Sequence, residues 1–128
     1  MSSANTRGVQ VEVESEYVVE RSDPERNVYF FAYHVRITNQ GHTPVQLISR
    51  HWIITNAEGR TEEVKGPGVV GEQPTLEPGE AFEYSSFCPL NTSTGTMHGT
   101  YQMVTEEGED FDATIAPFTL AHEEITYH

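Results

Sequence analysis

Gly66-Pro67-Gly68-Val69-Val70-Gly71-Glu72-Gln73-Pro74 reads G-x-G-x-x-G and then meets a proline. In dinucleotide-binding proteins this glycine spacing follows a strand, opens a helix and lies inside a parallel βαβ unit, so that the pyrophosphate meets a helix N-terminus. The residues that would form that helix are Glu72 to Gly79, and Pro74, Pro78 and Gly79 interrupt them. Proline removes a backbone donor and clashes with the preceding turn, so no long helix starts here. A P-loop frame fails as well. Its lysine position is Glu72, which reverses the charge meant for phosphate, and its hydroxyl position is Gln73. The stretch is therefore expected to be a shaped loop, with Gly66 and Gly68 supplying tight turns or positive φ, crossing between two halves of a β protein.

Outward from the loop, period-2 alternation recurs in both directions. Val9, Val11 and Val13 alternate with polar residues, and Tyr17 to Val19 follows after an expected bulge at Ser15 and Glu16. Val28 to Thr38 places Tyr29, Phe31, Tyr33, Val35 and Ile37 on one face, with Phe30 on the other, the pattern of a central strand. After Pro44, Val45 to Thr55 is expected to turn Ile48, Trp52 and Ile54 one way and Leu47 and Ile53 the other, with Trp52 as core anchor. Arg60 to Lys65 forms a hairpin partner. Beyond the loop, Phe82 to Ser86 is a fifth strand ended by Cys88, Pro89 and Leu90. Met97, Tyr101 and Met103 mark a sixth, with Gly99 expected to admit Trp52, and Phe111 to Ile115 a seventh, interrupted at Pro117. About seven strands, with no helical periodicity and no βαβ alternation, specify an all-β, fibronectin type III or immunoglobulin-like antiparallel sandwich. The expected division is a disordered segment over residues 1–8, the sandwich over 9–121 and a tail over 122–128.

The chain has 128 residues, 20 acidic and 7 basic, for a formal net charge of -13. One domain is the natural reading at this length. The field of such a surface repels nucleic acid and anionic lipid and favours weak binding of divalent cations or of basic partners. A single cysteine, Cys88, excludes an intrachain disulfide and a Cys-pair zinc site. Residues Met1 to Gly8 lack an apolar core, and no apolar run approaches a membrane span, so a cytoplasmic protein with no direct membrane insertion is expected.

Neither metal nor catalytic chemistry has its spacing. His34, His51, His98 and Cys88 include no His-x-His, Cys-x-x-Cys or His-Glu-x-x-His, so no built metal site, no cofactor and no enzyme activity are expected. Cys88 and Ser86, with His98 in reach, lack a nucleophile-elbow or cysteine-protease signature, and a lone small cysteine packs more often than it reacts. Glu62 and Glu63 are adjacent and on a strand point to opposite faces. The candidates that remain are Gly66, Gly68 and Gly71 for phosphate, pyrophosphate or a metal cation, and Arg50 and His51 beside Trp52 as a charged and aromatic rim for a protein partner.

Four stretches together resemble the ApaG family: Q-L-I-S-R-H-W-I-I-T (Gln46 to Thr55), G-P-G-V-V-G-E-Q-P (Gly66 to Pro74), G-T-M-H-G-T-Y-Q-M-V (Gly95 to Val104) and F-D-A-T-I-A-P-F-T-L (Phe111 to Leu120). The resemblance implies a fibronectin-III-like sandwich in a bacterial cytoplasmic protein, a family association with Co2+ and Mg2+ efflux or resistance, and no assigned catalysis. Related domains joined to eukaryotic F-box proteins and to a polymerase-interacting protein imply a protein-binding module. The family's glycine motif matches at Gly66, Gly68 and Gly71, with Pro67 stiffening the loop.

Overall fold

Alternating apolar residues build both sheets of the computed structural model, which describes residues 1–122. Its nine strands are β1 (Ser2–Thr6), β2 (Val9–Tyr17), β3 (Tyr29–Asn39), β4 (Val45–Asn56), β5 (Thr61–Pro67), β6 (Thr75–Leu76), β7 (Ala81–Leu90), β8 (Thr94–Thr105) and β9 (Asp110–Ala121). One sheet has the order β1-β2-β3-β7; the other runs β5-β4-β8-β9, with β6 beside β4, and all ladders are antiparallel. Helical structure among the described residues is confined to two 3-10 turns, Val19–Arg21 and Pro24–Arg26. This is the expected all-β antiparallel sandwich. Val9, Val11, Phe31, Val35 and Ile37 from one sheet meet Leu47, Trp52, Tyr101, Ile115 and Leu120 from the other.

The two strands beyond the expected seven have local causes. Ser2 to Thr6, read from the sequence as disordered, pairs residue for residue with Val13 to Val9. Its side chains are small and polar, so period-2 hydrophobicity gives no sign of it, and the free edge of β2 orders it through backbone hydrogen bonds. Strand β6 is two residues long. Its Leu76 is buried, and the Leu47 N–H donates to the Pro74 carbonyl just ahead of it. Of the expected tail, His122 is held: its ring stacks on Tyr17 at 4.3 Å, and its N–H donates to the Ser93 carbonyl. The remainder, 123–128, lies outside the described residues.

Three further expectations change. In β4, a register shift between Leu47 and Ser49 inserts an extra residue at Ile48, so Leu47 and Trp52 both face the core while Ile48 does not. A bulge reverses side-chain parity, which alternation alone cannot reveal. Strand β7 continues through Pro89, and β9 through Pro117. Both are edge strands, where a missing N–H breaks no ladder. Gly99 lies opposite Trp52, as expected, yet the group pressing on it is backbone. A Cβ there would stand 2.0 Å from the His51 carbonyl oxygen.

Candidate functional site

The glycine loop hangs from β4 at both ends. Gly66 pairs with Arg50 at the end of β5, and β6 returns to Val45 and Gln46 of the same strand. The loop therefore stays within one sheet, and the crossover to the other is made by Glu77 to Glu80, where Gly79 N–H donates to the Asn39 carbonyl and Asn39 N–H to the Glu80 carbonyl. Val70 and Gly71, at φ 43° and 84°, form a tight turn closed by reciprocal 2.9 Å bonds between Val69 and Glu72. Positive φ at both central residues matches the twist of a short hairpin.

The polarity of the loop is opposite to that of a phosphate cradle. The N–H groups of Gly68, Val69 and Glu72 donate to protein carbonyls, and the Gln73 side-chain amide donates to Ile48 O. What converges is oxygen: the Pro67 and Gly68 carbonyls accept from Arg50 Nη1 at 3.1 and 3.0 Å. The guanidinium lies flat over Gly66, where a Cβ would come within 3.0 Å of its nitrogens. Gly68 has a different constraint, since its Cβ would meet the Glu72 carbonyl oxygen at 2.2 Å. Gly71 has open space around it. The three glycines thus serve three separate local needs: Gly66 and the Gly68 carbonyl seat Arg50, Gly71 only closes the turn, and they share no anion site.

Arg50 and His51 do not form one rim. Adjacent residues on a strand point to opposite faces. Arg50 shares the inward side with Trp52 and Ile54, opposite Gly66, Val64 and Glu62 of β5. His51 lies on the outer face, where its Nε2 meets Glu63 Oε1 at 2.8 Å. The other histidines also stay apart. His34, on the outer face of the first sheet, holds Glu83 Oε1 at 2.7 Å and Ser85 Oγ at 2.9 Å. With Arg36, it keeps the Glu83 carboxyl below the ordinary carboxylate range. Among the described residues no group of three or more metal-ligating side chains is brought together. Cys88 is buried, and desolvation pushes its thiol up to about 11, so at neutral pH it is a protonated packing group. His98, paired with Ile53 on the outside of the second sheet, has that sheet between itself and Cys88.

Two features escaped the sequence reading. On the outer face of the first sheet, Phe30 and Phe87 pack with ring centroids 5.4 Å apart, and the Arg21 guanidinium lies 4.3 Å over one ring and 5.3 Å over the other. Phe87 is 53% exposed and sits on β7, whose outer edge pairs with no other strand among the described residues. Their spacing in sequence carries no signal because Arg21, Phe30 and Phe87 meet only through β3–β7 pairing. Inside the sandwich, Tyr84 and Tyr101 share a 2.5 Å hydroxyl contact, and burial raises both phenols and that of Tyr33. Arg50 lies near enough to these phenols to oppose that rise. Beside them, a cavity of about 240 Å³ opens between β5 and β7.

These features define an antiparallel β-sandwich domain whose glycine-rich loop is docked on an inward arginine at one edge. An ApaG domain model matches residues 19–105. The ApaG protein of Anaeromyxobacter dehalogenans strain 2CP-C is 59% identical over 120 residues, covering 94% of each chain, and that of Beijerinckia indica is 54% identical over 120 residues, covering 94% of this chain and 92% of its own. A solved Bordetella pertussis structure described as ApaA superposes with a TM-score of 0.87 at 58% identity, covering 88% of this chain and 92% of that one. The chain belongs to the ApaG family. Among the described residues no helix is long and apolar enough to cross a membrane.

Proposed function

We propose that this ApaG protein is a non-enzymatic binding and regulatory module that acts in the bacterial cytoplasm through a protein partner, in a process tied to Co2+ and Mg2+ efflux or resistance. The observation that carries the reading is the Arg21, Phe30 and Phe87 patch beside the free edge of β7. Exposed aromatics with an arginine are the side chains that concentrate binding energy at protein interfaces, and an unpaired strand edge adds backbone donors and acceptors. The net charge of -13 directs the surface toward basic protein segments rather than nucleic acid. A photo-crosslinking residue placed at Phe87 is expected to capture one partner in cells, and the same residue at exposed Glu107 is not. Phe87→Lys is expected to abolish the cobalt tolerance that the unaltered chain restores to a deletion strain, with its circular dichroism unchanged. Full tolerance with Phe87→Lys, or equal capture from Glu107, overturns the reading.

A further inference from the structure

We propose that the cavity between β5 and β7 is a binding site for a small aromatic monocarboxylate, with Arg50 holding the carboxylate and the inter-sheet walls holding the ring. The site borders the outer-face patch, since Phe87 lines it, but Arg50 and the inter-sheet walls take no part in the Arg21 and Phe30 contacts. Its walls come from both sheets: Ile54 and Val64 on one side, Cys88 and Pro89 on the other, with Tyr33 and Trp52 lining it. At about 240 Å³ it is small for a ligand pocket, the right scale for one ring and a short acid chain.

Arg50 supplies the charge. It forms none of the ion pairs found among the described residues, although the chain carries 20 carboxylates. Its Nη1 is held by the Pro67 and Gly68 carbonyls, and the plane is fixed over Gly66. The Nε and Nη2 donors form the fork that suits a carboxylate. A guanidinium already fixed in place loses little conformational freedom on binding. The wall also holds Trp52, 2% exposed, whose Nε1–H lies beside the Tyr84 hydroxyl but makes no well-formed hydrogen bond among the described residues. A buried donor so poorly satisfied gains from a better-placed acceptor.

The charge layout selects the ligand. Glu62 lines the same cavity, four residues along β5 from the Gly66 that faces Arg50, or roughly 13 Å at strand rise. A second negative group on the ligand would meet that carboxylate, which disfavours nucleotides and dicarboxylates. An amine beside the ligand carboxylate would meet the guanidinium, which disfavours free amino acids.

The test uses the full chain labelled with 15N and titrated with 3-phenylpropionate. Trp52 is the single tryptophan, so one indole N–H signal reports the cavity. That signal and the Gly66 amide are expected to shift saturably in the millimolar range or below. The uncharged 3-phenylpropanol, and phenylalanine, are expected to bind at least about tenfold more weakly, the scale of one lost charged hydrogen bond. Arg50→Gln is expected to weaken binding by about the same factor, and Lys65→Gln, on the outer face, to leave it unchanged. If Arg50→Gln does not fold, the acid and alcohol compared on the unaltered chain still decide. A still indole signal overturns the proposal, as does equal affinity for acid and alcohol, or the same shifts with inorganic phosphate.

Discussion

The two seams of this sandwich are closed in different ways. Where β1 and β2 meet β9, hydrogen bonds join the sheets directly: Thr114 N–H donates to Thr6 Oγ1 at 3.0 Å, and Ser15 Oγ–H to the Thr119 carbonyl at 2.9 Å. Arg7 adds a 3.0 Å contact to Glu109 and lies 4.8 Å over the Phe111 ring. Where β5 faces β7, a cavity takes the place of such bonds, and the nearest strong donor, Arg50, turns back onto the carbonyls of its own sheet. Two antiparallel sheets thus share one core, but one flank is sealed and the other remains available. Both candidate binding features, the cavity and the Phe87 patch, lie on the available flank.

The strongest way to disturb the open flank is Gly68→Ala, because the new Cβ would stand 2.2 Å from the Glu72 carbonyl oxygen at a φ of 60°. Overpacking and left-handed strain together are expected to cost about 3 kcal/mol in chemical denaturation and to release Arg50 from its carbonyls. Gly71→Ala, with φ 84° and no atom within 4 Å, is the control and is expected to cost only about 1 kcal/mol. Equal losses would break the link between close backbone approach and loop conformation.

The sealed flank is tested by deleting residues 2–6. Loss of the β1 ladder and the Thr6 acceptor is expected to lower stability by about 2 kcal/mol, because roughly 1 kcal/mol per hydrogen bond is largely offset by the backbone entropy that these residues no longer lose on folding. The bared edge of β2 is expected to promote self-association, seen as earlier elution in size-exclusion chromatography. An unchanged unfolding midpoint would show that β1 merely covers the edge.

On the open flank Cys88 reports how well the cavity wall excludes water. With its thiol raised from 9.0 to about 11, alkylation at pH 8 is expected to be about a hundredfold slower than in the unfolded chain, following the thiolate fraction. The sign for stability follows. Below pH 9 both states hold the proton and the full stability is present; above it the unfolded thiol ionises first, and stability falls until the folded thiol ionises near 11. The raised phenols of Tyr33, Tyr84 and Tyr101 act in the same alkaline direction. Cys88→Ala is expected to flatten part of that decline. Fast alkylation at pH 8 would show that the cavity wall opens.

The smallest effect is expected at Arg7→Gln. Glu109 is held low first by its hydrogen bond from Arg7 and then by the charge, but the pair is solvent-exposed. The Glu109 carboxyl is expected to titrate closer to its ordinary range by NMR, with almost no change in unfolding midpoint. A large loss of stability would move the closure of the sealed flank from its hydrogen bonds to its ion pair.

Much of the fold was legible in side-chain type. The inward set Phe31, Tyr33, Val35 and Ile37 has the parity that its alternation predicts, and the prolines after the glycine loop exclude the helix that a nucleotide site requires. Strand β1 was not legible, because backbone pairing orders it without apolar side chains. The candidate site was legible only in its parts. Gly66, Gly68 and Arg50 were singled out for anion and partner binding, and the structure joins them as a guanidinium seated on a glycine loop. Placing Arg50 with His51 overlooked the opposition of neighbouring strand residues that had already separated Glu62 from Glu63.

By itself the sequence determined what depends on neighbours along the chain: strand periodicity, the ban on a helix after Gly71, and turns where glycine permits positive φ. Tertiary structure decided what depends on register. The bulge at Ile48 brings Leu47 and Trp52 to one face, and pairing across β3 and β7 assembles Phe30 with Phe87. It also decided that one seam closes while the other holds a cavity. Alternation is encoded two residues at a time, whereas register and seam closure come from many weak contacts between segments far apart in the chain. No short stretch contains their sum.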